Sequence, residues 1–222
     1  HYLTYDAGTF LYNGKTPWQN GLSGTDVHNT ISVDGQDQMR RLSRITWLDW
    51  ANGSAEIGEG SDGTLFWKGS HNGYHRLADP VDHFRKVFSI GDDRWLVMDQ
   101  LIGKTTHRFR LHWLFEDIQY QSLDQGNGFI FESPNQFCKV QIGSSSEQSE
   151  FSLIRADPLT TRGWRSKFYA QKESAISIAL VVDNPRTAFW TYFGFPQDQV
   201  TAKNQQLYVT VNDHSHRIDL WD

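Results

Sequence analysis

The sequence predicts an all-β protein, a two-layer antiparallel β-sandwich of the supersandwich kind with little or no helix. Most apolar runs alternate with a period of two, and polar turns separate them at roughly ten-residue spacing. No long amphipathic helical pattern occurs along the chain. With 222 residues the chain is long enough to bury one sizeable core. We therefore expect residues 1–222 to form a single sandwich domain.

Alternation is clearest in the run HRFRLHWLF (107–115) and in the shorter run LYVTV (207–211). The first places Phe109, Leu111, Trp113 and Phe115 on one face, opposite Arg108, Arg110 and His112. The second places Leu207, Val209 and Val211 opposite Tyr208 and Thr210. Other strand-like runs span 28–34, 83–90, 94–102, 128–132, 137–142, 175–182, 187–195 and 216–221.

Turn signals separate several of these runs, among them GDD (91–93) and DNP (183–185). The segment QMRRLSRITWLDWA (38–51) is ambiguous, because its pattern suits either a short helix or an irregular strand.

Composition narrows the possible functions. Aromatic residues make up 14% of the chain and include 9 Trp, which suits either a β-rich core or a surface that stacks on flat ligands such as sugar rings. The net charge of −5 provides no basic footprint for nucleic acid. No run approaches the roughly 18 apolar residues of a transmembrane helix. The single cysteine, Cys138, forms no internal disulfide, and we expect it to be a half-buried packing residue.

Local motifs exclude two hydrolytic classes. The sequence contains no G-x-S-x-G nucleophile elbow and no histidine pair at zincin spacing on a helix. Asp6 and His28 differ from the other polar residues, since a carboxylate at a glycine turn and an imidazole opening a strand are acceptable zinc ligands. Their spacing predicts adjacent antiparallel strands. The pair alone is incomplete, because structural zinc takes four ligands.

Four segments, in order, resemble the C-terminal β-sandwich of the heparinase II/III-like polysaccharide lyases. They are YDAGTFLY…HNTISVDGQDQ (5–38), SHNGYHRLADPVDHFRKV (70–87), RWLVMDQLIGKTTHRFRLHWLF (94–115) and GWRSKFYAQKE (163–173). The resemblance implies an upstream helical toroid domain in the same protein, with the polysaccharide held between the two domains. It also implies cleavage of a uronic-acid-containing chain by β-elimination, in the periplasm or outside the cell.

The resemblance further implies a bound metal, zinc or another divalent cation, with one histidine ligand upstream of His1. Asp6 matches the aspartate ligand, His28 is our first choice for the later histidine, and His71 is our second. Tyr12 matches a tyrosine of the family motif and is a candidate catalytic residue, with a core role as its alternative. We expect most of the catalytic groups to lie upstream, so that these 222 residues alone are inactive.

For the anionic chain, the candidate contacts are Arg40, Arg41, Arg44 and Arg76. Two other functions stay open at this point. The domain is alternatively a non-catalytic carbohydrate-binding or structural sandwich of a surface-polysaccharide pathway, or a platform for protein interaction. Because the chain starts on His1 inside a strand-like segment, we interpret it as a fragment of a longer protein.

Overall fold

A computed structural model describes residues 3–60, 64–123, 127–133 and 136–221, and it confirms the all-β sandwich. Two single-turn 3-10 helices, Gly21–Ser23 and Thr25–Val27, precede the first strand. The strands are β1 (Ile31–Val33), β2 (Arg40–Arg41), β3 (Trp47–Leu48), β4 (Gly53–Glu59), β5 (Leu65–His71), β6 (Asp82–Ser89), β7 (Trp95–Phe115), β8 (Tyr120–Ser122), β9 (Asn127–Ser133), β10 (Gln136–Ser144), β11 (Glu150–Arg155), β12 (Trp164–Phe168), β13 (Gln171–Ser174), β14 (Ile176–Gly194), β15 (Gln199–Lys203), β16 (Gln206–Val211) and β17 (His214–Asp219).

One ten-stranded sheet dominates the molecule. Its strands follow the order β4-β5-β6-β7-β14-β10-β9-β8, with β1 also pairing with β7 and β11 with β14. The central antiparallel pair is long, since β7 has 21 residues and β14 has 19. Three smaller sheets, β15-β16-β17, β12-β13 and β2-β3, complete the described part of the chain.

The central pair bends sharply at one break in its ladder. Ile102 pairs with Arg186 and His107 pairs with Asn184, so residues 103–106 bulge opposite Pro185. A proline has no N–H for the ladder, and bulges of this kind redirect strands.

Beyond the break the two halves of the pair face each other. The rings of Trp113 and Phe193 lie 5.0 Å apart, and Trp113 Nε1 donates to Thr191 Oγ1 at 2.9 Å. These contacts join opposite ends of the same ladder, because Trp113 itself pairs with Ile178. The first layer therefore contains β4, β5, β6, β8, β9, β10 and half of each central strand. The second layer contains β1, β11 and the other halves.

The bend corrects part of the sequence prediction. Runs 94–102 and 107–115 are one strand, as are runs 175–182 and 187–195, and DNP (183–185) is not a turn. The physical reason is that the break redirects the two strands without reversing them. Segment 38–51 forms the short β2-β3 pair, so the irregular-strand alternative is the right one. The turn at GDD is confirmed, with Gly91 at φ +99°.

Both faces of the central pair are buried. Between the layers lies a core that contains Ile31, Phe109, Leu111, Phe115 and Phe189, which confirms the inward face predicted for 107–115. The small sheet β15-β16-β17 covers the outer face of one half, where Leu207, Val209 and Val211 pack against Leu96 and Trp190. The N-terminal segment covers the outer face of the other half through Ala7, Leu22 and Val27.

A buried carboxylate fastens the small sheet to the central pair. Asp198 is 2% exposed, and its Oδ2 accepts hydrogen bonds from Arg94 Nε (3.0 Å), the Tyr192 hydroxyl (2.7 Å) and the Phe195 N–H (2.7 Å). Lys139 Nζ donates to the main-chain oxygen of Asp198 at 2.6 Å. Burial alone would raise the pKa of Asp198, but the bonds from Arg94, Phe195 and Tyr192 outweigh it and lower that pKa.

We predict that Asp198→Asn lowers the free energy of unfolding by about 3 kcal/mol, because Arg94 then lacks its buried counter-charge. Urea unfolding at neutral pH measures the loss. Because the folded pKa is depressed, the carboxylate stabilises the protein above its unfolded pKa, and this contribution disappears as the pH falls through the folded pKa. The difference from the wild type should therefore shrink in acid. Asp213→Asn, on the exposed turn between β16 and β17, is the control; equal losses in both variants would contradict the prediction.

Candidate functional site

The structure brings Asp6 and His28 together at the surface. Asp6 Oδ2 lies 2.9 Å from His28 Nδ1, with the two side chains 72% and 31% exposed. Asp6 Oδ1 accepts the N–H of Gly8 at 2.8 Å. Gly8 has a φ of +69°, and a side chain there would meet the Ser166 carbonyl oxygen at 2.1 Å. Only glycine fits this turn, which holds the Asp6 carboxylate in place.

A buried hydrogen-bond chain fixes the main chain of His28. His112 Nδ1 lies 2.9 Å from the His28 carbonyl oxygen, and His112 Nε2 lies 2.8 Å from Ser177 Oγ. A carbonyl only accepts, so Nδ1 carries the proton and Ser177 donates to Nε2. Ser177 Oγ in turn accepts from Arg162 Nε at 2.8 Å. Burial lowers the pKa of His112 well below its usual value, which keeps the ring neutral.

The secondary structure around the pair differs from the prediction. Asp6 lies outside the strands, between isolated bridges at Thr4 and Gly8, and His28 follows the 3-10 helix Thr25–Val27. The two residues are neighbours without lying on adjacent antiparallel strands, because the N-terminal segment crosses the sheet as irregular chain.

The donor chemistry of the pair suits a divalent cation. Adjacent ligands of a tetrahedral zinc at roughly 2.1 Å lie roughly 3.4 Å apart, whereas Asp6 Oδ2 and His28 Nδ1 lie at hydrogen-bond distance, 2.9 Å, so the two groups would have to separate slightly to share an ion. Within residues 3–60, 64–123, 127–133 and 136–221, no group of three or more His, Cys, Asp and Glu residues could hold a metal ion. The described residues thus do not form a complete metal site, and the role of Asp6 and His28 as ligands stays a prediction.

His71 belongs to a different cluster. Its Nε2 lies 2.9 Å from His83 Nδ1, and His83 Nε2 lies 2.7 Å from Asp99 Oδ1. Arg85 contacts both oxygens of Asp99, through Nε at 2.7 Å and Nη2 at 2.9 Å. His83 and Asp99 are buried, whereas His71 is half-buried and lines an open cavity.

The positions of the protons along the hydrogen-bond chain from His71 through His83 to Asp99 follow from the groups at its two ends. The Asp99 carboxylate only accepts, so His83 Nε2 carries a proton. The Gly73 N–H donates to His71 Nδ1 at 3.2 Å, which places the single proton of a neutral His71 on Nε2, directed at His83. Burial, together with the nearby His83 and Arg85, lowers the pKa of His71 to about 4. No sequence motif pointed to Asp99 and Arg85 as part of a site; the available signal was the presence of polar residues at inward-facing positions of two strong strands.

The arginine candidates separate into two groups. Arg41 and Arg44 line an open cavity of about 530 Å³ together with Thr16, Gln19 and Ser43. Arg41 Nη2 donates to the main-chain oxygens of Gln19 (2.5 Å) and Asn20 (3.1 Å), and Arg44 donates to Asn13 Oδ1. In the described ranges, neither arginine contacts a carboxylate.

The other two arginines have different surroundings. Arg40 pairs with Asp49, with its Nε 3.0 Å from Oδ2. Arg76 donates to the main-chain oxygen of Asp37. Neither lines the cavity of Arg41 and Arg44.

Tyr12 and Cys138 have quieter surroundings. Tyr12 is 45% exposed and its ring lies 5.5 Å from that of Tyr169, so it is not a core residue. Its catalytic role stays a prediction. Cys138 is half-buried as expected, and burial raises the pKa of its thiol.

We predict that His71 remains neutral at pH 7 as the Nε2–H tautomer and takes up a proton only near pH 4. Long-range proton–nitrogen NMR across a pH titration gives both the tautomer and the midpoint, and His71→Gln assigns the signal. A midpoint near the ordinary histidine value, or an Nδ1–H ring, would contradict the hydrogen-bond chain.

Comparisons with known proteins agree with this fold. The family model "Heparinase II/III-like, C-terminal" matches residues 1–205. A crystal structure of heparinase III superposes with a TM-score of 0.73 at 16% identity, covering 97% of this chain and 33% of that one. The heparan sulfate lyase HepC from Pedobacter heparinus superposes with a TM-score of 0.67 at 20% identity, covering 97% and 34%. A search of curated proteins gives no match.

The structural likeness, at these identities, shows the fold alone, and this chain spans about a third of the length of those enzymes. No helix in the described ranges is long and apolar enough to cross a membrane. The family assignment rests on the match over nearly the whole sequence. The chain belongs to the heparinase II/III-like family of polysaccharide lyases and corresponds to its C-terminal β-sandwich domain.

Proposed function

We propose that this sandwich works with an upstream helical domain of the same protein as a polysaccharide lyase. The substrate is a uronic-acid-containing polysaccharide, and the reaction is β-elimination. The observation that carries the proposal is the cavity of Arg41 and Arg44. Among the described residues these two guanidinium groups have no carboxylate partner, which leaves positive charge beside an open cavity, on a protein whose net charge is −5. Such a cavity suits an anionic chain.

The chemistry requires three contributions. A base removes the C5 proton of the uronate, the C4–O4 bond breaks as the double bond forms, and the departing O4 accepts a proton. Acidity at C5 increases when the charge of the uronate carboxylate is neutralised, which is the role we assign to Arg41 and Arg44. Tyr12 is the candidate proton donor or acceptor on this chain. It lies next to Asn13, which contacts Arg44. The remaining groups would come from the helical domain.

We also propose that Asp6 and His28 are two ligands of a zinc or other divalent cation, with the remaining ligands supplied upstream of residue 1. The Gly8 turn fixes the carboxylate, and His112 fixes the main chain of His28. Outer groups that orient ligands in this way are typical of metal sites. When bound, the cation would fasten the N-terminal segment to the sandwich.

For the full-length protein, we predict that Arg41→Ala and Arg44→Ala each lower kcat/KM for a uronic-acid polymer by about tenfold or more, with part of the loss in kcat, because each removes charge that would neutralise the uronate carboxylate as C5 is deprotonated. Absorbance of the unsaturated uronide measures the reaction. Arg40→Ala is the matched control, since Arg40 is already paired with Asp49. A wild-type protein that is silent on every uronic-acid polymer would overturn the lyase proposal, and binding without cleavage would favour the non-catalytic alternative.

Metal content is expected to depend on the same two side chains in the full-length protein. Elemental analysis should find about one equivalent of metal in the wild type and little in Asp6→Asn or His28→Gln. His75→Gln is the control, because His75 and Asp82 form another exposed His–Asp pair at 2.7 Å. Equal metal content in all four proteins, or none in the wild type, would refute the assignment.

A further inference from the structure

The two layers of the sandwich have unequal widths, which leaves a groove. On one side the second layer ends at β1, whereas the first layer continues through β6 to β5 and β4. Three inner-face positions of these outer strands, Gly53, Ala55 and Gly69, are small and form the floor. A cavity of about 370 Å³ lies over them. In the described part of the chain, no residue of β1 or β11 lines this cavity, so the second layer does not cover the floor.

An exposed tryptophan lies along this floor. Trp67 is 39% exposed and lines the groove. A side chain at Gly69 would meet the Trp67 ring at 2.5 Å, so the indole lies against the glycine backbone. A large apolar ring held open to solvent in this way is a platform for a flat partner.

The wall opposite Trp67 offers hydrogen-bond donors and carries no net charge. Arg85 lines the groove, and its charge is compensated by Asp99. Three of its N–H groups donate to Asp99 and to the Asn29 carbonyl oxygen, whereas a guanidinium carries five. Thr30 adds a hydroxyl group that can still donate, because its Oγ1 accepts from Gln38 at 3.3 Å.

We propose that this groove binds one pyranose residue of the glycan. The hydroxyl-poor face of the sugar would pack on the Trp67 ring, whose negative face attracts its C–H groups, and ring hydroxyls would accept from Arg85. The volume lies at the lower end of ligand pockets, roughly 300–1,000 Å³, which suits a single sugar residue. Because the charge of Arg85 is compensated by Asp99, the groove favours an uncharged face of the sugar. In this it differs from the Arg41–Arg44 cavity, which favours an anionic group.

This inference rests on the proposed function and adds a second site at which the protein would hold the glycan. A direct binding measurement tests it without requiring cleavage. The probes are size-defined oligosaccharides of heparosan, an unsulfated chain of glucuronate and N-acetylglucosamine, and of alginate. Isothermal titration of the full-length protein gives the Kd for each.

Two variants act by different means. Trp67→Ala removes the platform, and Ala55→Phe fills the floor without removing any group, on a residue that is exposed. Each should raise the Kd by about tenfold or more, the loss typical of an aromatic anchor. Trp95→Ala is the matched control, because Trp95 is 47% exposed and lies outside the groove. Near-UV circular dichroism and thermal unfolding verify that each variant is folded.

The outcomes separate this inference from the proposed function. If Trp67→Ala and Ala55→Phe bind the oligosaccharides with wild-type affinity, the proposal that the groove binds sugar is wrong, whether or not the enzyme cleaves. Loss of stability in both variants with unchanged Kd overturns it too, and indicates that the upstream domain fills the groove. No binding of either oligosaccharide by the wild type also overturns it. If binding depends on the groove but no unsaturated uronide forms, the proposal of sugar binding in the groove is supported and the proposal of β-elimination is contradicted.

Discussion

The pairing of β7 with β14 is the constraint on which the rest of the structure depends. Because the ladder breaks once, opposite Pro185, a single antiparallel pair contributes to both layers and closes the core on itself through Trp113 and Phe193. The other strands of the large sheet extend outward from this pair, and the sheet β15-β16-β17 and the N-terminal segment cover its outer faces. Substitutions at the bend should therefore affect both layers together.

Three buried titratable residues of β7 connect this pair to the surface sites. Asp99 holds the chain through His83 to His71, and His112 holds the carbonyl of His28. Between them, His107 contacts Asp34 at 2.7 Å through Nδ1 and Asp79 at 3.0 Å through Nε2. Burial alone would lower the pKa of His107, but the two carboxylates outweigh it and raise that pKa. Strand β7 thus forms part of the core and also fixes, by polar contacts, the segments that carry His71 and His28.

The sequence was informative where one physical rule decided the structure. Alternation identified the buried face of 107–115, because one side of that strand faces the core between the layers. Asp6 and His28, paired as candidate ligands from the sequence, are neighbours in the structure although the strands proposed for them do not exist, and their role as ligands stays a prediction. Alternation failed for β4 and β5, since small and exposed residues such as Gly53 and Ala55 carry no periodic signal. The bend was also missed, because Pro185 indicates a turn and a bulge equally well in a local sequence.

Two of the strands that the sequence did not predict, β4 and β5, form the floor of the groove, and this connection has a physical basis. A strand that packs in a core needs regularly spaced apolar side chains, whereas a strand that offers its face to a ligand needs room, which small residues provide. The high tryptophan content left two interpretations open, core packing and stacking on sugars; the fold shows core packing for some tryptophans, and stacking at Trp67 is our proposal. Trp113, 6% exposed, lies in the core between the two layers, and Trp190, 5% exposed, lies under the small sheet. Trp67 lies beyond the edge of the second layer, where an aromatic ring adds nothing to the core and remains available to a partner.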